Sequence, residues 1–152
     1  MKKKKIMKKI LLILVAIFSV GVLAASADNE KLINKSKLPA QAQKFLDKHF
    51  ADIDIVYAKE ECNILLSSYE VRLANGAKIE FSNKGNWEEV DCQSNEVPAA
   101  IVPQPIKDYV KNNFPAEKIR NIEKNRNDYE VKLSNRLELK VDKNFNLYDI
   151  DD

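Results

Sequence analysis

The sequence predicts an α+β protein built as a tandem repeat. One helix and about four antiparallel strands occur twice, with the helices packed on one face of a shared antiparallel sheet. Three observations carry this expectation. Beyond residue 37 the apolar residues alternate between a spacing near 3.6 and a spacing of 2. The block holding both periods recurs with an offset of 64 and then 60 residues. Asn and Gly separate the alternating runs, as hairpin turns require.

The N-terminus belongs to a different logic. Lys2, Lys3, Lys4, Lys5, Lys8 and Lys9 precede an apolar run over 10–25, and Ala25-Ser26-Ala27 offers small residues at a cleavage site. These are the parts of a secretory signal peptide, 1–27, with cleavage expected after Ala27 and an uncleaved anchor as the alternative. The whole chain carries a net charge of +2, but loss of those six lysines leaves 19 basic and 23 acidic groups, a net −4. Nucleic-acid binding thereby loses its electrostatic footing. The Lys-rich leader points to a bacterial export route, and in a Gram-negative cell to the periplasm. A polar leader over 28–37 follows, and then the two-repeat domain over 38–152.

In the first repeat, about 38–92, Leu38, Ala42, Phe45, Leu46 and Phe50 fall on one helical face, with Pro39 at the start. A strand over about 54–60 comes next. Tyr69, Val71 and Leu73 then alternate with Glu70 and Arg72, and Ile79 and Phe81 with Lys78 and Glu80. Asn75-Gly76 between these runs suits a two-residue type I′ turn, and Lys84-Gly85-Asn86 marks the turn before Trp87. In the second repeat, about 97–152, Ile106, Tyr109, Val110 and Phe114 restore the helical stripe after Pro103 and Pro105. Tyr129-Glu130-Val131-Lys132-Leu133 restores the strand, and Asn135-Arg136 stands at the turn, where Arg predicts a strained or longer loop. Units of some 57 residues bury too little surface alone, so one core shared by an eight-stranded sheet is expected. The opposite face, with Glu70, Arg72, Lys78, Glu80, Glu130, Lys132, Glu138 and Lys140, is then solvated or meets a partner.

The repeated Leu-Pro, short helix and Tyr-Glu-Val-x-Leu-x-Asn pattern, together with Phe81-Ser82-Asn83-Lys84-Gly85-Asn86-Trp87-Glu88-Glu89-Val90-Asp91, resembles the beta-lactamase-inhibitor-like, PepSY-like family of exported bacterial proteins. The resemblance runs from about residue 38 to 151. It implies a fold like that of the beta-lactamase inhibitor protein, with helices behind an antiparallel sheet. It supplies no catalytic motif, and a shared fold does not by itself name a partner. The second repeat departs from the pattern at Arg136 and at Phe145, which stands where the first has Gly85.

Catalytic chemistry finds little support. His49, the one imidazole, sits at a helix end where capping explains it. Asp142-Lys143-Asn144-Phe145-Asn146 spaces oxygen donors like a calcium loop, but Leu147 stands where such a loop needs Gly, and a β-turn explains the same residues. No cofactor or metal is expected. An oxidising compartment invites a bond between Cys62 and Cys92, whereas a meander puts them at opposite ends of the sheet, beyond disulfide reach. The function expected is therefore a non-enzymatic, inhibitor-like periplasmic module that binds a protein or peptide on the open sheet face. Tyr57, Trp87 and Tyr148 are the candidate aromatic anchors, and Arg72 and Lys132 the steering charges. The alternative is an envelope structural or sensory protein that binds a small ligand or ion.

Overall fold

A computed structural model describes residues 29–62 and 66–152; the export segment and its cleavage site lie outside them. The elements in chain order are β1 (Asn29–Ile33), a 3-10 turn (Lys35–Lys37), α1 (Ala40–His49), β2 (Ile55–Cys62), β3 (Ser67–Leu73), β4 (Lys78–Phe81), β5 (Trp87–Asp91), α2 (Gln104–Asn113), β6 (Ile119–Lys124), β7 (Asp128–Leu133), β8 (Glu138–Asp142) and β9 (Leu147–Asp151). The strands form one antiparallel sheet in sequence order.

This corrects the expected fold class. The molecule is mostly a single nine-stranded meander with two ten-residue helices among the described residues, not a helix-plus-four-strands unit used twice over an eight-stranded sheet. Two features overturn the repeat. The leader supplies the ninth strand, because Glu30, Lys31, Leu32 and Ile33 pair with Glu61, Glu60, Lys59 and Ala58. Leader alternation is too weak to signal a strand; the exposed edge of β2 organises it instead. Across the middle, Glu89, Val90 and Asp91 pair with Glu123, Ile122 and Asn121, so the hydrogen-bond ladder runs unbroken from β5 into β6.

Register determines the core. One lateral row crosses every strand: Ile33, Ala58, Val71, Ile79, Val90, Ile122, Val131, Leu139 and Ile150. Its central members, Val71 to Leu139, have no exposed surface, and each such side chain contributes roughly 1.5–3 kcal/mol. From α1, Ala42 and Leu46 join the same core, and Phe45 meets Phe81 edge-on with centroids 5.6 Å apart. From α2, Ile106 and Val110 join it. Because side chains alternate along a strand, the residues on either side of the apolar row point to the opposite face.

The turns also differ from expectation. Leu73 N–H donates to Ala77 O and Gly76 N–H to Leu73 O, which makes a three-residue loop with only Gly76 at positive φ. A type I turn followed by one left-handed residue needs a single permissive position, so no type I′ turn forms. Leu133, Arg136 and Leu137 repeat these bonds, with Arg136 at φ +77°. The Arg136 loop is thus not longer; it holds an arginine in a conformation that favours glycine.

Candidate functional site

The polar face of the sheet is organised as two lateral rows. The first joins Tyr57, Arg72, Lys78, Asp91, Asn121, Lys132, Glu138 and Asp151, and it mixes basic with acidic side chains. The second begins at Leu32 and Lys59 and ends at Lys140 and Asp149. Between them stand five glutamates on five successive strands, Glu70, Glu80, Glu89, Glu123 and Glu130. Like charges directly opposed across strands destabilise a sheet, so such a row calls for compensation.

Compensation is uneven. Lys59 Nζ lies 2.7 Å from Glu61, 3.1 Å from Glu30 and 3.4 Å from Glu70, and the bond to Glu61 chiefly holds its pKa above the ordinary lysine value. Tyr57 donates to Glu70 at 2.6 Å. Lys78 sits 2.7 Å from both Glu80 and Glu89; burial works against its charge, but those carboxylates more than restore it. Glu89 also accepts from Asn121 at 2.7 Å. Against its own burial, the bonds from Lys78 and Asn121 keep its pKa low.

The other end of the row is different. Among the described residues Glu123 is in no ion pair, and Glu130 accepts only a 3.2 Å bond from Asn125 besides its contact with Glu138. Burial first, then Glu130 and Glu89, push the Glu123 carboxyl above its ordinary value. Burial, Glu138 and Asp128 do the same to Glu130. The face therefore carries carboxylates aligned by register across β5, β6 and β7, with Lys140 next in the row on β8.

The anticipated binding residues divide. Tyr57, Arg72 and Lys132 fall in one row on this face, although Arg72 spends a donor on Gly76 O at 3.0 Å and Lys132 pairs with Glu138 at 3.3 Å. Tyr148 lies at the far edge, exposed, and donates to Asp128 at 2.8 Å. Trp87 is not brought to them. It pairs with Phe81 on the core side, 6.4 Å from the Phe45 ring, with Lys124 Nζ 4.6 Å above it. Glu89, Glu123 and Arg120 were missed by sequence reasoning. Alternation marks Glu89 and Glu123 as outward-facing, but their alignment depends on a β5–β6 pairing across a long connection.

Other candidate chemistry resolves locally. Cys62 is exposed and Cys92 buried, both as free thiols. Asp142 accepts from the Asn144 and Asn146 backbone and from the Asn146 side chain, so its oxygens are engaged in the turn. His49 packs on Phe45 at 4.7 Å, and burial, then Lys48, lowers its pKa. Among the described residues no cluster of three or more His, Cys, Asp or Glu is set to hold a metal.

A single antiparallel meander with one polar, largely acidic face defines a sheet-faced module, and comparison with known proteins names its kin. The sequence profile of the family described as "Putative beta-lactamase-inhibitor-like, PepSY-like" matches residues 67–149, and the chain belongs to that family. It is similar to a solved structure from Bacteroides thetaiotaomicron described as a "putative calcium-regulated periplasmic protein", at 51% identity and a TM-score of 0.81, covering 84% of this chain and 100% of that one. A solved structure from Bacteroides vulgatus described as a "putative periplasmic protein" is 46% identical with a TM-score of 0.81, over 84% and 100% of the two chains. Another from the same species, of unknown function, is 36% identical with a TM-score of 0.77, over 81% and 99%. No curated protein matches. These structural neighbours are described as periplasmic, and no described helix is long and apolar enough to cross a membrane.

Proposed function

We propose that this protein is a non-enzymatic exported module, released by cleavage after Ala27, whose glutamate row holds a cationic segment of a periplasmic protein or peptide. The observation that carries the reading is the opposed pair Glu123 and Glu130, which among the described residues are in no ion pair. Strands lie about 4.8 Å apart, so the row from Glu70 to Glu130 spans roughly 20 Å, the length of an extended segment of about six residues. Lysines and arginines on one side of such a segment would relieve the opposed carboxylates, and the mixed charges of the neighbouring row would help to fix its register. The inhibitor-like family description supports a partner that is itself a protein.

Calcium regulation, in the words used for the Bacteroides thetaiotaomicron protein, finds no preassembled ligand set among the described residues. The Asp142 loop is engaged in its own turn, and Lys78 takes two of the row's carboxylates. Calorimetric titration with an oligolysine peptide, with an oligoglutamate control and a calcium chloride arm, tests the proposal. Expected is saturable binding of oligolysine that weakens with salt and is lost in Glu123→Gln/Glu130→Gln. Equal binding by that variant, or saturation by calcium alone, contradicts it.

A further inference from the structure

At one end of the same face the charge reverses. Asp91, Gln93, Arg120, Asn121, Lys132 and Arg136 are among the residues lining a cleft of about 440 Å³, within the size range of small-ligand sites. Two backbone irregularities bring its guanidinium groups together. In β6 the pairing jumps between Ile119, opposite Leu133, and Asn121, opposite Lys132, which leaves Arg120 as the extra residue of a β-bulge. A bulge re-aims the side chain it carries. In the β7–β8 loop Arg136 adopts φ +77°, at a position where Gly76 serves in the β3–β4 loop. Strain of this kind persists where something else requires the residue.

The donors are also uncommitted. Arg120 Nε is buried without a hydrogen-bond partner, a costly state for a charged group. Among the described residues Arg120 and Arg136 are in no ion pair, and Lys132 reaches only Glu138, at 3.3 Å. Asp91, the one acid in the lining, is occupied by Gln93, whose backbone N–H and side-chain amide donate to its two oxygens at 2.9 and 2.6 Å. Asn121 gives its amide to Glu89. What remains is two forked guanidiniums outside any ion pair among the described residues, beside an ammonium shared with Glu138, a donor set that matches a carboxylate or phosphate group.

We infer that this cleft is a binding site for a small oxyanion, a phosphate or carboxylate group, held by Arg120 on its bulge and Arg136 on its turn, with Lys132 adding charge. The site does not depend on the occupant of the glutamate row.

The test is a titration of the ¹⁵N-labelled protein purified from the periplasm, following the arginine Nε–Hε signals. Sodium phosphate and sodium acetate are added separately at constant ionic strength, with sodium chloride as the reference. Saturable movement of the Arg120 signal is expected with phosphate. Saturation by acetate as well extends the site to carboxylates, and phosphate alone restricts it to phosphoryl groups; both support the inference. Arg120→Gln should weaken phosphate affinity roughly tenfold. Arg136→Gly separates binding from folding, since it relieves the left-handed arginine and should raise the unfolding temperature while weakening phosphate several-fold. Linear drift with both anions, or unchanged affinity in both variants, overturns the site.

Discussion

Glu123 and Glu130 face each other across β6 and β7 on the polar side of the sheet, and among the described residues neither is in an ion pair. Each carboxyl titrates above its ordinary value, and each is raised by burial first and by carboxylates next. The folded state therefore binds these protons more tightly than the unfolded chain does. Stability from this source falls as pH rises from about 4.5, the ordinary value, through the elevated folded values. Glu123→Gln should accordingly stabilise the protein at pH 7 by about 0.5–1 kcal/mol, the size of an opposed cross-strand charge pair. The gain should vanish below about pH 4, where both carboxyls are protonated. Urea unfolding of wild type and variant across this range measures it, and a gain that grows on acidification would refute the assignment.

Gly76 and Gly85 share a left-handed backbone, at φ +88° and +82°, but not surroundings. A Cβ on Gly76 would meet nothing within 4 Å, whereas one on Gly85 would sit 2.8 Å from Pro39 Cβ and 2.9 Å from the Ala42 backbone nitrogen, under the start of α1. Gly76→Ala should cost about 1–2 kcal/mol from conformation alone. Gly85→Ala should cost about 1–3 kcal/mol more, because α1 must shift off the sheet. Thermal unfolding of the pair reports the difference.

Cys92 has 1% of its surface exposed, and burial, then Asp91, pushes its thiol up to about 11. Cys62 is exposed at the end of β2. Native protein should therefore release one equivalent of thiol to Ellman's reagent quickly and the second only on unfolding. Two slow thiols, or none, would contradict this arrangement.

Trp87 lies on the core side beneath Lys124 and beside Phe45. Occupation of the polar face should leave its emission maximum unchanged. Lys124→Met, which removes the overlying charge, should shift it. A large Trp87 response to oligolysine would place the partner on the helix side.

Much of this was legible in the residues, and the failures have local causes. The alternation of Tyr69, Val71 and Leu73 and of Ile79 and Phe81 reports which side of a strand is buried, because burial acts on each strand separately. Strand number was not legible: Asn29–Ile33 becomes a strand by pairing with β2, not by its own pattern. Trp87 reads equally as a surface anchor or a core residue until its pairing with Phe81 fixes its side. Glu89 and Glu123 become neighbours only through tertiary pairing, and Arg120 turns outward only through a bulge, which leaves no periodic trace.

A partner held on the glutamate row, as proposed, lies within reach of a crosslinker on that face. Photo-crosslinking in living cells detects it, with the photoreactive residue placed at Glu80 or Glu123 on the polar face, or at Lys111 on α2. Adducts are expected from the first two positions and lost when Glu130 is also changed to Gln, with none from the third. Adducts from Lys111 alone, with the sheet face silent, would put the partner on the helix side and overturn the proposed site.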